Sequence, residues 1–441
     1  MFRGNISKFS SSRLCPIRSA CRSSGLADRL QIVPTSRCIF LSRAFLSAAS
    51  FMLLLGSSGC RRSHFPDVPD GYREYAYISN GASNTVSILD LVYLRQDRTL
   101  QVGANPSALA ANPVRNEVYV ANTGSGTVSV INAESNQVVA TIPVHRQPGH
   151  IVVDPTGHRA YVTNSGSNSV STLDLDRRRE IGVAGTGEQP GVARISSDGR
   201  TLVVTNRGSG SVSLFNITPW AAALAASASL PHLRAAFSHC PGASDAAILP
   251  DSSRAFIACS SGHQVMAVSL AAAPGSWSAK KDPSLSSDHM LALLDVGTTP
   301  VHLAMKPDGG EIFVSNYGSD TVSEIATGTS EVGTTFPIGN HPMEGIVGAD
   351  NSTLWVANFG ADSIGIYSID DGHLAGSVHT GSAPSALAFS ADEHLLLATD
   401  AHSGDVAVIR TQGNPGPALF TILPAGSSPN AIAIKALKVK Q

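Results

Sequence analysis

Charge is scarce in this chain. Only 15% of its 441 residues are Asp, Glu, Lys or Arg, and the net charge is −2. A clustered basic surface for nucleic acid is therefore not expected. No apolar run reaches the roughly 18 residues that a membrane-spanning helix needs. Aromatic residues make up 6%, too few for numerous ring-stacking sugar platforms. No Cys-x-x-Cys-His motif is present, which removes c-type haem attachment. No Gly-x-Ser-x-Gly stands between a strand and a helix, so a nucleophile elbow is not expected. Gly-rich runs lack the following helix that would cradle phosphate. What the chain has is turn chemistry and core material: 40 Gly, 25 Pro and 42% hydrophobic residues.

Cysteine is also sparse. Cys15, Cys21 and Cys38 fall in a Ser-rich N-terminal stretch that is rich in Arg and holds one acid, Asp28. The apolar segment Ala44–Leu55 follows, then GSSGC ending at Cys60. Basic, apolar and small-residue regions in that order describe an export signal. The placement of Cys60 after Gly59 resembles a bacterial lipoprotein signal, whose cysteine becomes the lipidated first residue. It departs from that pattern at Ser57, where Leu or Val is usual. The reading is export signal over 1–60 and tether over 61–74, with a lipid on Cys60 anchoring the protein to a bacterial membrane. The location expected is the periplasm or cell surface. Cys240 and Cys259 then remain as one pair in an oxidising compartment, either a disulfide or two buried thiols.

The rest of the chain repeats itself. YAYISNGASNTVSIL (75–89), VYVANTGSGTVSVI (118–131), AYVTNSGSNSVSTL (160–173) and IFVSNYGSDTVSEI (312–325) share one register with four further copies. The anchor position reads Asn80, Asn122, Asn164, Asn206, Cys259, Asn316, Asn358 and Asp400. Spacing between anchors is 42 residues except across the fifth unit, where it is 53 and then 57. Each unit reads as four short alternating strands parted by Gly, Asn, Pro and Ser turns. Four strands per roughly 40–45 residues is the content of a propeller blade.

The segment Tyr161-Val162-Thr163-Asn164 resembles the YVTN-type β-propeller family, and the resemblance covers about 75–435. It implies an all-β fold. Related bacterial propellers include surface-layer proteins, lactonase-like enzymes, a metal-dependent lyase and haem-binding domains. The expectation is a single eight-bladed propeller over 75–435, or seven blades if the fifth unit is not one. The first unit lacks an inner strand, and the chain ends on Pro429-NAIAIK. Ala431–Ile434 is therefore expected to complete the blade begun at Tyr75, leaving 436–441 as a tail. Closure removes free sheet edges. A monomer is expected.

Two insertions, 218–240 and 271–290, are expected to join one blade to the next on the top face, the first with a short helix in its Ala-rich part. Candidate chemistry lies at the third position of the inner strands. There the units read Ala108, His150, Val192, Asp245, His302, Glu344, Ala386 and Ala431. His150, Asp245, His302 and Glu344 would all face the mouth of the central channel. Two imidazoles and two carboxylates at one level are suited to a divalent metal ion or to acid–base work. Arg194 and His341 stand near the same tier. Two functions follow: an exported binding or scaffold module for a protein or small molecule on the top face, or a metal-dependent lyase or lactonase-like enzyme. The anchor Asn residues and the PDG and SDG turns read as structure.

Overall fold

In the computed structural model the described residues are 69–218, 230–271, 287–414 and 416–438. The second unit sets the template. Its strands are Pro106–Ala111, Glu117–Asn122, Thr127–Asn132 and Gln137–Pro143, neighbours in that order. Left-handed turn residues, Gly126 at φ 64° and Asn136 at φ 51°, reverse the chain between the later strands. The described residues hold eight such four-stranded antiparallel sheets and no helix. The degenerate fifth unit is a true blade, built from Ala243–Ile248, Arg254–Cys259, Gln264–Ser269 and His289–Asp295. We number the blades one to eight in order of their anchors.

The second strand of each blade is covered on both faces, so EVYVAN reads as a nearly continuous buried run. Outer strands such as Gln137–Pro143 alternate with solvent. The buried apolar residues divide into eight clusters, each spanning two adjoining blades. Tyr119, Val130 and Ile142 of blade two meet Ile151, Val162 and Leu173 of blade three, for example. Burying a Val, Leu or Ile side chain contributes about 1.5–3 kcal/mol. Stability is therefore stored between blades.

The ring closes as the repeat requires. Pro429–Lys438 pairs antiparallel with Tyr72–Asn80, matching Ser79 with Ala431 and Ala76 with Ile434. The strand outruns the expected boundary: Leu437 and Lys438 pair with Arg73 and Tyr72. Leu437 is buried in the seam between blades one and two, which holds this end in the sheet.

The insertions depart from expectation. His232–Phe237 is the outer strand of blade four, and His289–Asp295 that of blade five. Both insertions therefore lie between the third and fourth strands of one blade. The flanking strands end and begin on the face opposite the start of the inner strands. The expected helix falls largely on residues outside those described.

The top face, where the inner strands begin, is held by a repeated clasp. The residue before each inner strand is left-handed in all eight blades: Asn105, Gln147, Gln189, Gly242, Thr299, His341, Ala383 and Ser428. Its carbonyl accepts the amide that follows the anchor, as in Thr123 N–H to Asn105 O at 2.9 Å and Phe359 N–H to His341 O at 3.0 Å. Three residues before the inner strand, six blades carry a glycine against the anchor. A Cβ on Gly103 would stand 2.7 Å from Asn122, and one on Gly426 2.7 Å from Asn80. In blade five these two positions are Cys240 and Cys259. They form a disulfide with S–S 1.99 Å and Cα–Cα 4.7 Å. The bond is the covalent form of a contact that six other blades make by packing.

Candidate functional site at the channel mouth

The inner strands Pro148–Val153, Ala243–Ile248, Pro300–Met305 and Pro342–Val347 carry His150, Asp245, His302 and Glu344 at one level. Each of these side chains accepts an amide of the following blade. Ala193 N–H donates to His150 Nδ1 at 3.4 Å, and Gly345 N–H to His302 Nδ1 at 3.3 Å. Leu303 N–H donates to Asp245 Oδ2 at 3.1 Å, and the Leu387 amide to the Glu344 carboxylate. The four residues thus stitch blade seams where the other blades carry Ala or Val.

Asp245 is the centre of the cluster. It is buried, with 3% of its surface exposed. Arg194 Nη2 donates to its Oδ1 at 3.1 Å, while Arg194 Nε reaches Ala246 O at 3.0 Å. His302 Nε2 faces its Oδ2 at 3.6 Å. Burial acts to raise the Asp245 pKa, but Arg194, His302 and the Leu303 and Ala246 amides hold it below the ordinary carboxylate value. Burial pushes the Glu344 carboxyl up, and His302 opposes that. Burial, helped by the Arg194 charge, lowers the His150 imidazole to about 3.

These contacts fix what the site can do. An imidazole whose Nδ1 accepts an amide carries its proton on Nε2. His150 therefore presents a donor rather than a lone pair, and His302 turns its Nε2–H toward Asp245. The lone pair that a metal would need is engaged in each ring. Among the described residues no group of three or more His, Cys, Asp or Glu is arranged to hold a metal ion. The divalent-metal expectation for His150, Asp245, His302 and Glu344 is matched by no such group: seam amides engage Nδ1 of both rings, and Asp245 is held by Arg194.

A cleft of about 740 Å³ opens beside His150, between blades three and four. Gln147, Ser165, Glu188, Gln189 and Arg207 line it with His150. Gly149 forms open floor: a Cβ there meets nothing within 4 Å. Sequence reasoning did not single out Glu188, Gln189 or Arg207. Their signal was variation at rim positions flanking the Pro and the anchor.

Eight four-stranded sheets closed by the last strand on the first make this protein a β-propeller. The model of the family described as "Lactonase, 7-bladed beta-propeller" matches residues 46–231 and 340–421, and the chain belongs to that family. This member closes with eight blades. The unmatched stretch between the two segments holds the disulfide, Asp245 and His302. No curated protein matches the chain. Among solved structures it is similar to dihydro-heme d1 dehydrogenase NirN in complex with DHE. That match has 15% identity, covers 84% of this chain and 76% of that one, and has a TM-score of 0.64. A putative 6-phosphogluconolactonase from Bacteroides uniformis has 16% identity, coverage of 82% and 99%, and a TM-score of 0.57. Another from Bacteroides fragilis has 16% identity, coverage of 84% and 100%, and a TM-score of 0.54. At these identities the likeness concerns the fold alone.

Proposed function

We propose that the protein is an exported, envelope-tethered propeller that binds a small, acceptor-rich molecule at its channel mouth. One observation carries this reading: the mouth concentrates polar groups as donors. Arg194 and His150 Nε2–H offer donors, the cleft adds amides and Arg207, and the expected metal ligands are engaged in the seams. Titration calorimetry with a panel of sugar acids and aldonolactones tests it. Arg194→Ala should weaken any ligand found by about tenfold or more, since a charge-assisted hydrogen bond contributes about 1.5–3 kcal/mol. Equal affinity in the variant would remove the mouth as the site.

Lactone hydrolysis is the second reading, favoured by family membership and by Glu344. A carboxyl held above its usual range is suited to proton transfer. Glu344→Gln should then abolish turnover of an aldonolactone while leaving its binding within a few-fold. The address is part of the proposal. Cys60→Ser should release the protein from the membrane fraction, and retention there would remove the lipid.

A further inference from the structure

Blade eight departs from its siblings at the anchor. In six blades the hairpin end pairs Asn with Thr or Ser: Asn80 with Thr85, Asn122 with Thr127, Asn164 with Ser169, Asn206 with Ser211, Asn316 with Thr321 and Asn358 with Ser363. Where the Asn amide turns to the paired strand it donates to hydroxyls, as in Asn122 Nδ2 to Thr127 Oγ1 at 3.1 Å and to Ser129 Oγ at 3.0 Å. Blade eight pairs Asp400 with Asp405. A donor and an acceptor are thus replaced by two acids.

The two carboxyls converge. A Cβ on Gly381 would stand 2.5 Å from Asp405 Oδ1 and 2.7 Å from Asp400 Oδ2. Asp400 is fully buried, its Oδ2 accepts the Gly381 amide at 3.0 Å, and Ser403 Oγ donates to Asp405 Oδ1 at 2.8 Å. Two ionised carboxylates do not share such a site; one retains a proton. We propose that Asp400 and Asp405 share a proton that replaces the missing Asn amide, making blade eight a pH-sensitive clasp beside the ring closure.

The surroundings support this. Burial pushes Asp400 up to about 7, and the charge and hydrogen bond of Asp405 add to it against the Gly381 amide. Thr380 and Gly381 come from the preceding loop, and Ser403 from the hairpin turn. Other titratable groups at this end are His402 in the same turn and Asp362 of blade seven. Asp362 Oδ1 accepts the Ala383 amide at 2.8 Å. A group whose folded pKa is raised contributes stability that is fully present below its unfolded value near 4, declines as pH rises from there, and is gone once pH has passed about 7. Above that point the proton passes to water, and repulsion loosens the hairpin end and the Gly381 loop.

The test is thermal unfolding of the full chain from about pH 5 to about pH 8.5, for wild type, Asp400→Asn and Asp405→Thr. Asp400→Asn restores the sibling pattern. It should gain about 3–6 °C on wild type across that range, with the gain growing from about pH 5 and levelling off above about 7. Asp405→Thr relieves the same repulsion and should show the same trend. A protonated-carboxyl band in the infrared at about pH 6, absent from Asp400→Asn, would report the shared proton directly. Parallel profiles for all three proteins would overturn the proposal. So would a rise in the wild-type midpoint with calcium at about pH 8.5 that both variants lack, because the pair would then hold a cation.

Discussion

His150 shows how a single residue changes meaning between sequence and structure. Its place in the repeat put it at the channel mouth beside three other polar side chains. Its tautomer is set by Ala193, 43 positions later, whose amide claims Nδ1. That contact belongs to a seam, and the spacing of His150 within its own unit carries no trace of it. The same holds for Arg194, whose partner Asp245 lies 51 residues away. A lowered folded pKa means that stability is complete above the ordinary imidazole value and declines as pH falls from about 6.5 toward 3. His150→Gln keeps an acceptor for the amide without a titrating ring. Wild type should lose up to about 2 kcal/mol relative to this variant between pH 7 and pH 5. Urea midpoints at the two pH values measure this. Equal losses in the two proteins would show that the ring is not held neutral.

At the scale of elements, strand number and order were legible because each unit repeats the same alternation and turns. The two outer strands His232–Phe237 and His289–Asp295 were not. Both follow long insertions, and their sequences HLRAAF and HMLALLD carry weak alternation, since outer strands are half exposed. Counting from the anchors therefore placed the insertions between blades and on the wrong face. The disulfide is better understood against its siblings than by itself. It closes a 19-residue separation, for which a cross-link stabilises by about 2–4 kcal/mol. Cys240→Ser with Cys259→Ser should lose about that amount by urea unfolding. Cys240→Gly with Cys259→Asn rebuilds the packed clasp and should recover part of it. If the two double variants unfold alike, the clasp contributes nothing beyond the cross-link.

For the whole molecule, the blade count was readable from eight anchors, while the family description names seven. The ring depends on its last strand. Ile432, Ile434 and Leu437 pack into the seams on either side of blade one. Full burial contributes about 1.5–3 kcal/mol per side chain; with Leu437 buried and the two isoleucines partly so, the sum is a sizeable part of the net stability of a typical domain, about 5–15 kcal/mol. Removal of 429–441 should leave an open edge at Tyr72–Asn80 and give an aggregating chain by light scattering. A synthetic peptide covering 427–441, added in trans, should restore a monodisperse protein. A truncated chain that stays monodisperse alone would show that closure is dispensable.

That same pairing of first strand with last sets the timing of biogenesis. Tyr77 waits for Ala433, more than 350 residues downstream. A chain emerging N-terminus first from a ribosome can build its other blades as they appear. It cannot finish blade one until residues 429–438 are through. Completion of the fold thus waits for the strand Pro429–Lys438, and until it arrives the strand Tyr72–Asn80 keeps one edge unpaired.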